Sequence, residues 1–300
     1  MSIYWYCPDS VNSHFEKPEH NPSFRLRCWT IHKKLLEEGY SSHIVSRATD
    51  IWNPSVIVLM SFGFEEICLT KYFSDKGVSV IHDYCENIRG LPFLEETKSL
   101  CRFIVCCSTW LGEEESKTYP SKVRIIKDHY ESIGVMKNFN HKRKKKKVVW
   151  AGMGGNADIP FNLIKPIVEG QGLEYVEISD RDEATIKWSE NYLYHMADCD
   201  IAICPQDHWS FPAKSNVKVT TAMSLGLPVI ASPVRSYEEI ITNGVNGFIS
   251  HSLEDWSNNI FFLSNNNVSE EFYNKSRDIL KDYSLDSIYK KWLALFKECL

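Results

Sequence analysis

The chain lacks any apolar run near the roughly 20 residues that a bilayer span needs, so no transmembrane segment is expected. Its start, MSIYWYCPDS, lacks the basic residues and long apolar stretch of a signal peptide. C-x-x-C and paired-histidine spacings are missing among its 10 cysteines and 10 histidines, which argues against a zinc framework. Cys101, Cys106, Cys107, Cys199 and Cys204 instead sit in apolar runs and read as buried thiols of a reducing cytoplasm. Positive charge is not in excess either: the net charge is −5, so the molecule as a whole is not built to attract nucleic acid. What is present is ordinary for a globular protein, 43% apolar and 24% charged residues. A length of 300 residues allows one large or two ordinary domains.

Apolar runs alternate with helical spacings along the first half. Strands are expected at Ile3–Cys7, Ser42–Ser46, Val56–Met60, Val78–His82, Phe103–Cys107 and Val123–Ile126. Helices are expected between them, the first with Phe24, Cys28, Ile31, Leu35 and Leu36 on one face. Alternating strands and helices imply right-handed crossovers and a mostly parallel sheet. Lys142–Lys147 is then a run of six basic residues, read as a solvated linker between two halves. The pattern resumes with Val148–Trp150, a strand running into the glycine cluster Gly152, Gly154, Gly155 and Asn156, where a ligand can approach the backbone. Ser189 reads as the N-cap of a helix through Ala197. Ser252-Leu-Glu-Asp255 resembles a capping box. Leu285, Ile288, Tyr289, Trp292, Leu295, Phe296 and Cys299 form a packing stripe on a last helix.

The most informative stretch is Ile201 to Ser232. A short apolar run ends at Pro205, and a polar loop follows with Asp207, His208, Lys214, Ser215 and Asn216. A helix from Val217 to Leu225 stops at Gly226, and Val229-Ile230-Ala231 makes a second buried strand. This is one βαβ unit whose loop feeds a helix N-terminus. Free N–H groups and the helix dipole favour an anion there. Lys214 and Lys218 add positive charge, so a phosphate site is one reading and a plain loop with solvated lysines is the other.

These residues carry a resemblance. Trp150–Asn156, His195–Pro205, Lys214-Ser215-Asn216-Val217-Lys218, Ala222-Met223 with Gly226–Ser232, and Asn243–Phe248 come in the order of motifs in the donor domain of retaining glycosyltransferases of the "glycosyl transferases group 1" type. The resemblance implies an α/β fold of two Rossmann-like doubly wound domains facing a central cleft, the GT-B architecture. It divides the chain into an acceptor-side domain at 1–140, a linker at 141–147, a donor domain at 148–282 and a C-terminal helix at 283–300 that packs back on the first domain. It implies transfer of a sugar from a nucleotide-diphosphate sugar to a hydroxyl, with retention and without a metal. Donor contacts would come from Gly152, Gly154, Gly155, Asn156, Pro205, Lys214, Ser215, Asn216, Lys218, Thr220 and Thr221. Lys214 would stabilise the leaving diphosphate. His82, where the family often has a strand-end histidine, would face the sugar, and Asp83 or Glu86 would be an acceptor-side base. The sequence departs from the family where Ala213 and Thr221 replace two glutamates, and Thr220, Thr221 or Asn216 are the candidates to substitute.

No cofactor is expected beyond the nucleotide-sugar co-substrate, whose UDP, GDP or ADP moiety is not distinguished. The acceptor is open among a glycan, a lipid-linked glycan, a small molecule and a modified base in DNA, the last resting on the basic run. A non-catalytic nucleotide-sugar-binding subunit is the remaining alternative. A cytoplasmic location is expected, with peripheral membrane contact through Tyr4, Trp5 and Tyr6 left open beside their reading as a core strand.

Overall fold

The structure, a computed structural model, describes residues 1–8, 21–85, 91–131, 134–206 and 213–300. Glu86, Asp207 and His208 lie outside the described residues. The chain groups into two compact units. The first is Met1–Asp128 with Ala213–Ser215 and Leu285–Leu300, and the second is His129–Pro212 with Asn216–Ser284.

The first unit holds β1 (Ser2–Tyr6), β2 (Ser41–Val45), β3 (Val56–Leu59), β4 (Ser79–Tyr84), β5 (Phe103–Cys106) and β6 (Val123–Ile125) in one parallel sheet ordered β2-β1-β3-β4-β5-β6. Its helices are α1 (Thr30–Glu37), α2 (Phe64–Ser74), α3 (Pro92–Leu100) and α4 (Thr109–Ser116), with a π-helical stretch Phe24–Trp29 running into α1. The inner strands β1, β3 and β5 are buried on both faces because helices cover both, as parallel sheets require. Pairing of Leu59 with His82 and of His82 with Ile104 puts His82 on a central strand.

The last helix, α11 (Leu285–Glu298), belongs to this unit, although the second unit's segments precede it in the chain. Its stripe buries Trp292 and Phe296 against Trp5 of β1, with ring centroids 5.4 and 5.9 Å from that indole. The aromatic residue Trp5 is therefore core. The chain end is tied down by the Ser79 hydroxyl and the Arg102 guanidinium, which donate to the Cys299 carbonyl at 2.8 and 2.9 Å.

The second unit holds β7 (Lys147–Ala151), β8 (Glu174–Ser179), β9 (Ile186–Lys187), β10 (Ile201–Cys204), β11 (Val229–Ala231) and β12 (Phe248–Ile249), also parallel, ordered β12-β11-β10-β7-β8-β9. Its helices are α5 (Lys165–Gly170), α6 (Tyr192–Ala197), α7 (Val217–Ser224), α8 (Arg235–Glu238), α9 (Leu253–Asn265) and α10 (Ser269–Asp282). Gly226 closes α7 in the left-handed region at φ 79°, and a Cβ there would sit 2.8 Å from the Phe139 ring. The capping box at α9 forms as read, with Ser252 Oγ accepting from the Asp255 N–H at 3.1 Å and the Asp255 carboxylate accepting from the Ser252 N–H at 3.1 Å.

Two local expectations need correction. Ser189 does not cap α6: the helix begins at Tyr192, whose N–H donates to the Ser189 carbonyl at 3.0 Å in a turn before it. The basic run is also not wholly solvated. Arg143 and Lys147 pair with Asp198, and the Lys146 ammonium donates to the Leu263 carbonyl at 3.2 Å, while Lys142, Lys144 and Lys145 are exposed. Local carboxylates and a carbonyl draw Arg143, Lys146 and Lys147 onto the unit.

All ten cysteines are free and only Cys68 and Cys85 escape burial, so the thiols serve as small apolar side chains. No helix among the described residues is long and apolar enough to cross a membrane. Truncating Trp292 to alanine should cost about 3–5 kcal/mol of unfolding free energy. The same change at exposed Phe261 should stay within about 0.5 kcal/mol. Denaturant titration followed by circular dichroism checks both; equal effects would mean that α11 does not close the first core.

Candidate functional site

In the second sheet the strand order turns at β10 and β7. From β7 the chain proceeds outward to β8 and β9, and from β10 it proceeds the other way to β11 and β12. Crossovers leaving in opposite directions open a crevice at the strands' carboxyl ends, where open α/β sheets bind ligands. The glycine cluster follows β7, and the segment leading to α7 follows β10.

Lys218, in the first turn of α7, reaches back over this crevice. Its ammonium lies 5.2 Å from the centroid of the Trp150 ring. A Cβ at Gly152 would fall 2.8 Å from that ammonium and 2.8 Å from the indole edge, so only glycine lets the lysine pack on the backbone. Cys204, ending β10, has its thiol pushed up to about 12 by burial, with the Lys218 charge pulling the other way.

Asn216 precedes α7 and is 1% exposed, and neither atom of its amide has a hydrogen-bond partner among the described residues. Trp150 Nε1 and the Tyr237 hydroxyl are likewise buried and unpartnered. A buried polar group left so costs about 1–3 kcal/mol, and a ligand that bonds it recovers that cost. The first turn of α7 contains no acidic residue and its N-cap makes no side-chain bond among the described residues, and the helix dipole adds positive potential at this end.

The glycine cluster is held from β8. Gly154 N–H donates to the Asp180 carboxylate at 2.5 Å, Asn156 closes a short 3₁₀ turn, and a Cβ at Gly155 would meet open space. Pro205 is buried after β10, and the next N–H, of Gln206, donates to Ser232 Oγ at 2.8 Å. Lys214 and Ser215 are half-buried and group with the first unit, where neighbouring Ala213 packs with Leu94 and Leu111.

Thr220 and Thr221 are not placed to replace the glutamates. Thr220 Oγ1 donates to the carbonyls of Asn216 and Val217 at 3.2 and 3.3 Å, and Thr221 Oγ1 accepts from the Glu131 N–H at 3.0 Å. Both residues are buried. Of the three candidates, Asn216 alone has no hydrogen bond on its side chain among the described residues.

The first unit has its own concavity at the carboxyl end of its sheet. A cavity of about 570 Å³ is lined by His82, Asp83 and Tyr84 of β4 and by residues after β1 and β3. His82 is 1% exposed, and its Nδ1 has no partner among the described residues. Burial, helped by the nearby Lys98 charge, pushes its pKa down to about 3, so the ring is neutral at physiological pH.

Asp83 cannot serve as a free acceptor-side base. Arg27 donates to both of its oxygens, at 2.6 to 3.0 Å, and also bonds Asp128 at 2.6 Å and the Ile126 carbonyl at 3.0 Å. Arg27 is buried and also lies 5.7 Å from the Trp292 ring centroid. The sequence held a signal for this pair: Arg27 stands three residues after Phe24, on the helical face assigned to the core, where a charge needs a partner. Asp180, which fixes the glycine turn, had no comparable signal.

Residues 137–266 match the family model of Glycosyl transferases group 1. The motif segments from Trp150 to Phe248 all fall inside that match. Among solved structures, a glycosyltransferase from Rickettsia africae ESF-5 aligns with a TM-score of 0.71 at 10% identity, covering 99% of this chain and 98% of that one. Anabaena HepE, solved with UDP and glucose, aligns with a TM-score of 0.71 at 11% identity and 99% coverage of both chains. S. aureus TarM, solved with Fondaparinux, alpha-GlcNAc-glycerol and UDP, aligns at 0.61 and 16% identity over 80% of this chain. The chain spans 55% of the TarM chain. No curated protein matches the sequence. The GT-B reading of the fold stands on these likenesses and on the two parallel six-stranded sheets.

A neutral buried His82 has a measurable consequence. The unfolded chain takes up a proton near pH 6.5 that the folded one refuses until about pH 3. Its contribution to stability is therefore complete above pH 6.5 and is lost as pH falls toward 3, with a slope approaching about 1.4 kcal/mol per pH unit. Urea midpoints at pH 7, 6 and 5 should fall more steeply for the natural protein than for His82→Asn. Parallel slopes would show that the histidine is charged or solvated.

Proposed function

We propose that the protein is a glycosyltransferase that moves a sugar from a nucleotide-diphosphate sugar to a hydroxyl, with retention of anomeric configuration and without a metal. The observation that carries this reading is the convergence of Lys218, Asn216 and Gly152 at the β7/β10 crevice, inside the segment matching Glycosyl transferases group 1.

Cleavage of the donor places negative charge on the departing diphosphate. The Lys218 ammonium and the start of α7 stand ready for that charge, fixed by Trp150 and Gly152 before the reaction begins. Charge held in place beforehand stabilises a transition state without reorganisation. Lys214 and Ser215 lie directly before the cap in sequence and supply a second ammonium and a hydroxyl. The Asn216 amide offers both a donor and an acceptor to the ribose or phosphate. The backbone at Gly154 and Gly155 permits close approach of the diphosphate. His82, held neutral, donates or accepts a hydrogen bond at a sugar hydroxyl and carries no charge of its own. UDP is bound in the cited HepE and TarM structures, which makes it the first donor moiety to try.

Thermal melting with UDP, GDP and ADP identifies the base. Saturation at 100 times Kd adds about 2.7 kcal/mol, a rise of a few degrees for the nucleotide that fits. The matching nucleotide sugar should then release its diphosphate, and proton NMR of the product should show the donor's anomeric configuration. Binding without any release would make the chain a nucleotide-sugar binder. Lys218→Ala should lower the rate by roughly 10²–10³, the usual cost of one preorganised donor to a developing charge. Gly152→Ala should weaken nucleotide binding by displacing that lysine, and an unchanged melting shift in both variants would remove the phosphate assignment.

A further inference from the structure

We infer that the cavity of the first unit is a binding site for an uncharged, hydroxyl-bearing sugar ring and discriminates against phosphorylated sugars. As an acceptor site it rests on the glycosyltransferase reading, but its ligand class follows from its own lining.

A volume of about 570 Å³ falls in the range of about 300–1,000 Å³ usual for small-molecule sites. Phe24, Phe62 and Phe64 give the lining apolar faces on which the C–H face of a sugar ring can lie. Asn21, Ser23, Ser61 and Tyr84 bring neutral hydrogen-bonding groups to the lining, and its described charged groups are all carboxylates. His82 Nδ1, buried and unpartnered, bonds a hydroxyl but presents no charge to a phosphate. Glu65 and Glu66 of α2 also line the cavity. Glu66 is fixed in place: the Ser61 hydroxyl donates to one of its oxygens, and a Cβ at Gly63 would fall 2.8 Å from the other. Carboxylates accept hydrogen bonds from sugar hydroxyls and repel a phosphate.

The third carboxylate on the wall, Asp83, is already neutralised by Arg27. That leaves the guanidinium committed, and no lysine or arginine is among the described lining residues. The cavity is thus the electrostatic opposite of the Lys218 crevice. A phosphorylated sugar or a nucleic-acid backbone would sit beside Glu65 and Glu66 with no counter-charge among the described lining residues.

The test is direct binding by saturation-transfer NMR, without nucleotide. The probes are methyl glucoside, methyl galactoside and methyl N-acetylglucosaminide, each against its 6-phosphate. At least one neutral glycoside should bind, with its phosphate about tenfold weaker or worse. Glu65→Gln, on an exposed residue that leaves the fold alone, should narrow that gap. Ser61→Trp should block binding by filling the cavity. Equal or tighter binding of the phosphates, a gap unmoved by Glu65→Gln, or no binding of any neutral glycoside would overturn the inference. The UDP melting shift is read on the same samples. A retained UDP shift without glycoside binding sinks the cavity assignment alone, and glycoside binding without a UDP shift sinks the donor reading alone.

Discussion

The Lys218 ammonium packs over the Trp150 ring and against the backbone of Gly152, and the anion site proposed for the second unit depends on that contact. It needs a strand ending in a large flat ring, a residue without a side chain just after it, and a helix whose first turn starts within reach. The parallel sheet delivers these together. β7 and β10 are neighbours whose crossovers diverge, so both loops empty into one crevice. A cation over an indole is worth about 0.5–2 kcal/mol, enough to fix a side chain that otherwise has much rotamer freedom to lose on binding. The site is therefore charged and ordered before a ligand arrives.

The first unit solves the opposite problem. Its buried cations, Arg27 and Lys98, are cancelled inside the protein. Arg27 joins the π-helical stretch, β4 and the segment after β6 by meeting Asp83, Asp128 and the Ile126 carbonyl. Such a buried group is tolerable only when fully bonded. The same pairing commits both oxygens of Asp83, although it neighbours His82 on the strand. Alternation along β4 explains the difference: adjacent residues face opposite sides of the sheet. Asp83 meets Arg27, and His82 shares its side with Tyr84, whose ring centroid is 5.9 Å away.

The legible parts of the sequence were those written in local pattern. Apolar runs such as Val56–Leu59 and Ile201–Cys204 became buried parallel strands, and Gly226 ended its helix at positive φ. The motif order from Trp150 to Phe248 was legible because each piece is a short loop chemistry tied to a strand end. What escaped depends on partners distant in sequence. Thr221 looked available until the Glu131 N–H, 90 residues away, was found on its hydroxyl. Asp83 looked like a base until Arg27, 56 residues away, was found on its carboxylate. Composition showed a basic run, but not that Asp198 would hold two of its members.

The two concavities divide the chemistry of group transfer by charge. A leaving diphosphate gains negative charge as its bond to the sugar breaks, so the groups around it must be cationic and fixed. An incoming hydroxyl starts neutral and must lose a proton, so a surrounding cation is not required and a wall of carboxylates is tolerable. On the proposed reading, Lys218 in the first turn of α7 meets the first demand. The neutral His82 beside Glu65 and Glu66 meets the second. If the basic run had lined a cavity of its own, a polyanionic acceptor would have had a place to bind. Instead Arg143 and Lys147 face Asp198, and the concavity that remains in the first unit carries carboxylates. If the chain is the glycosyltransferase proposed above, the distribution of charge within each unit, more than the net charge of the chain, suits a neutral acceptor better than a nucleic acid.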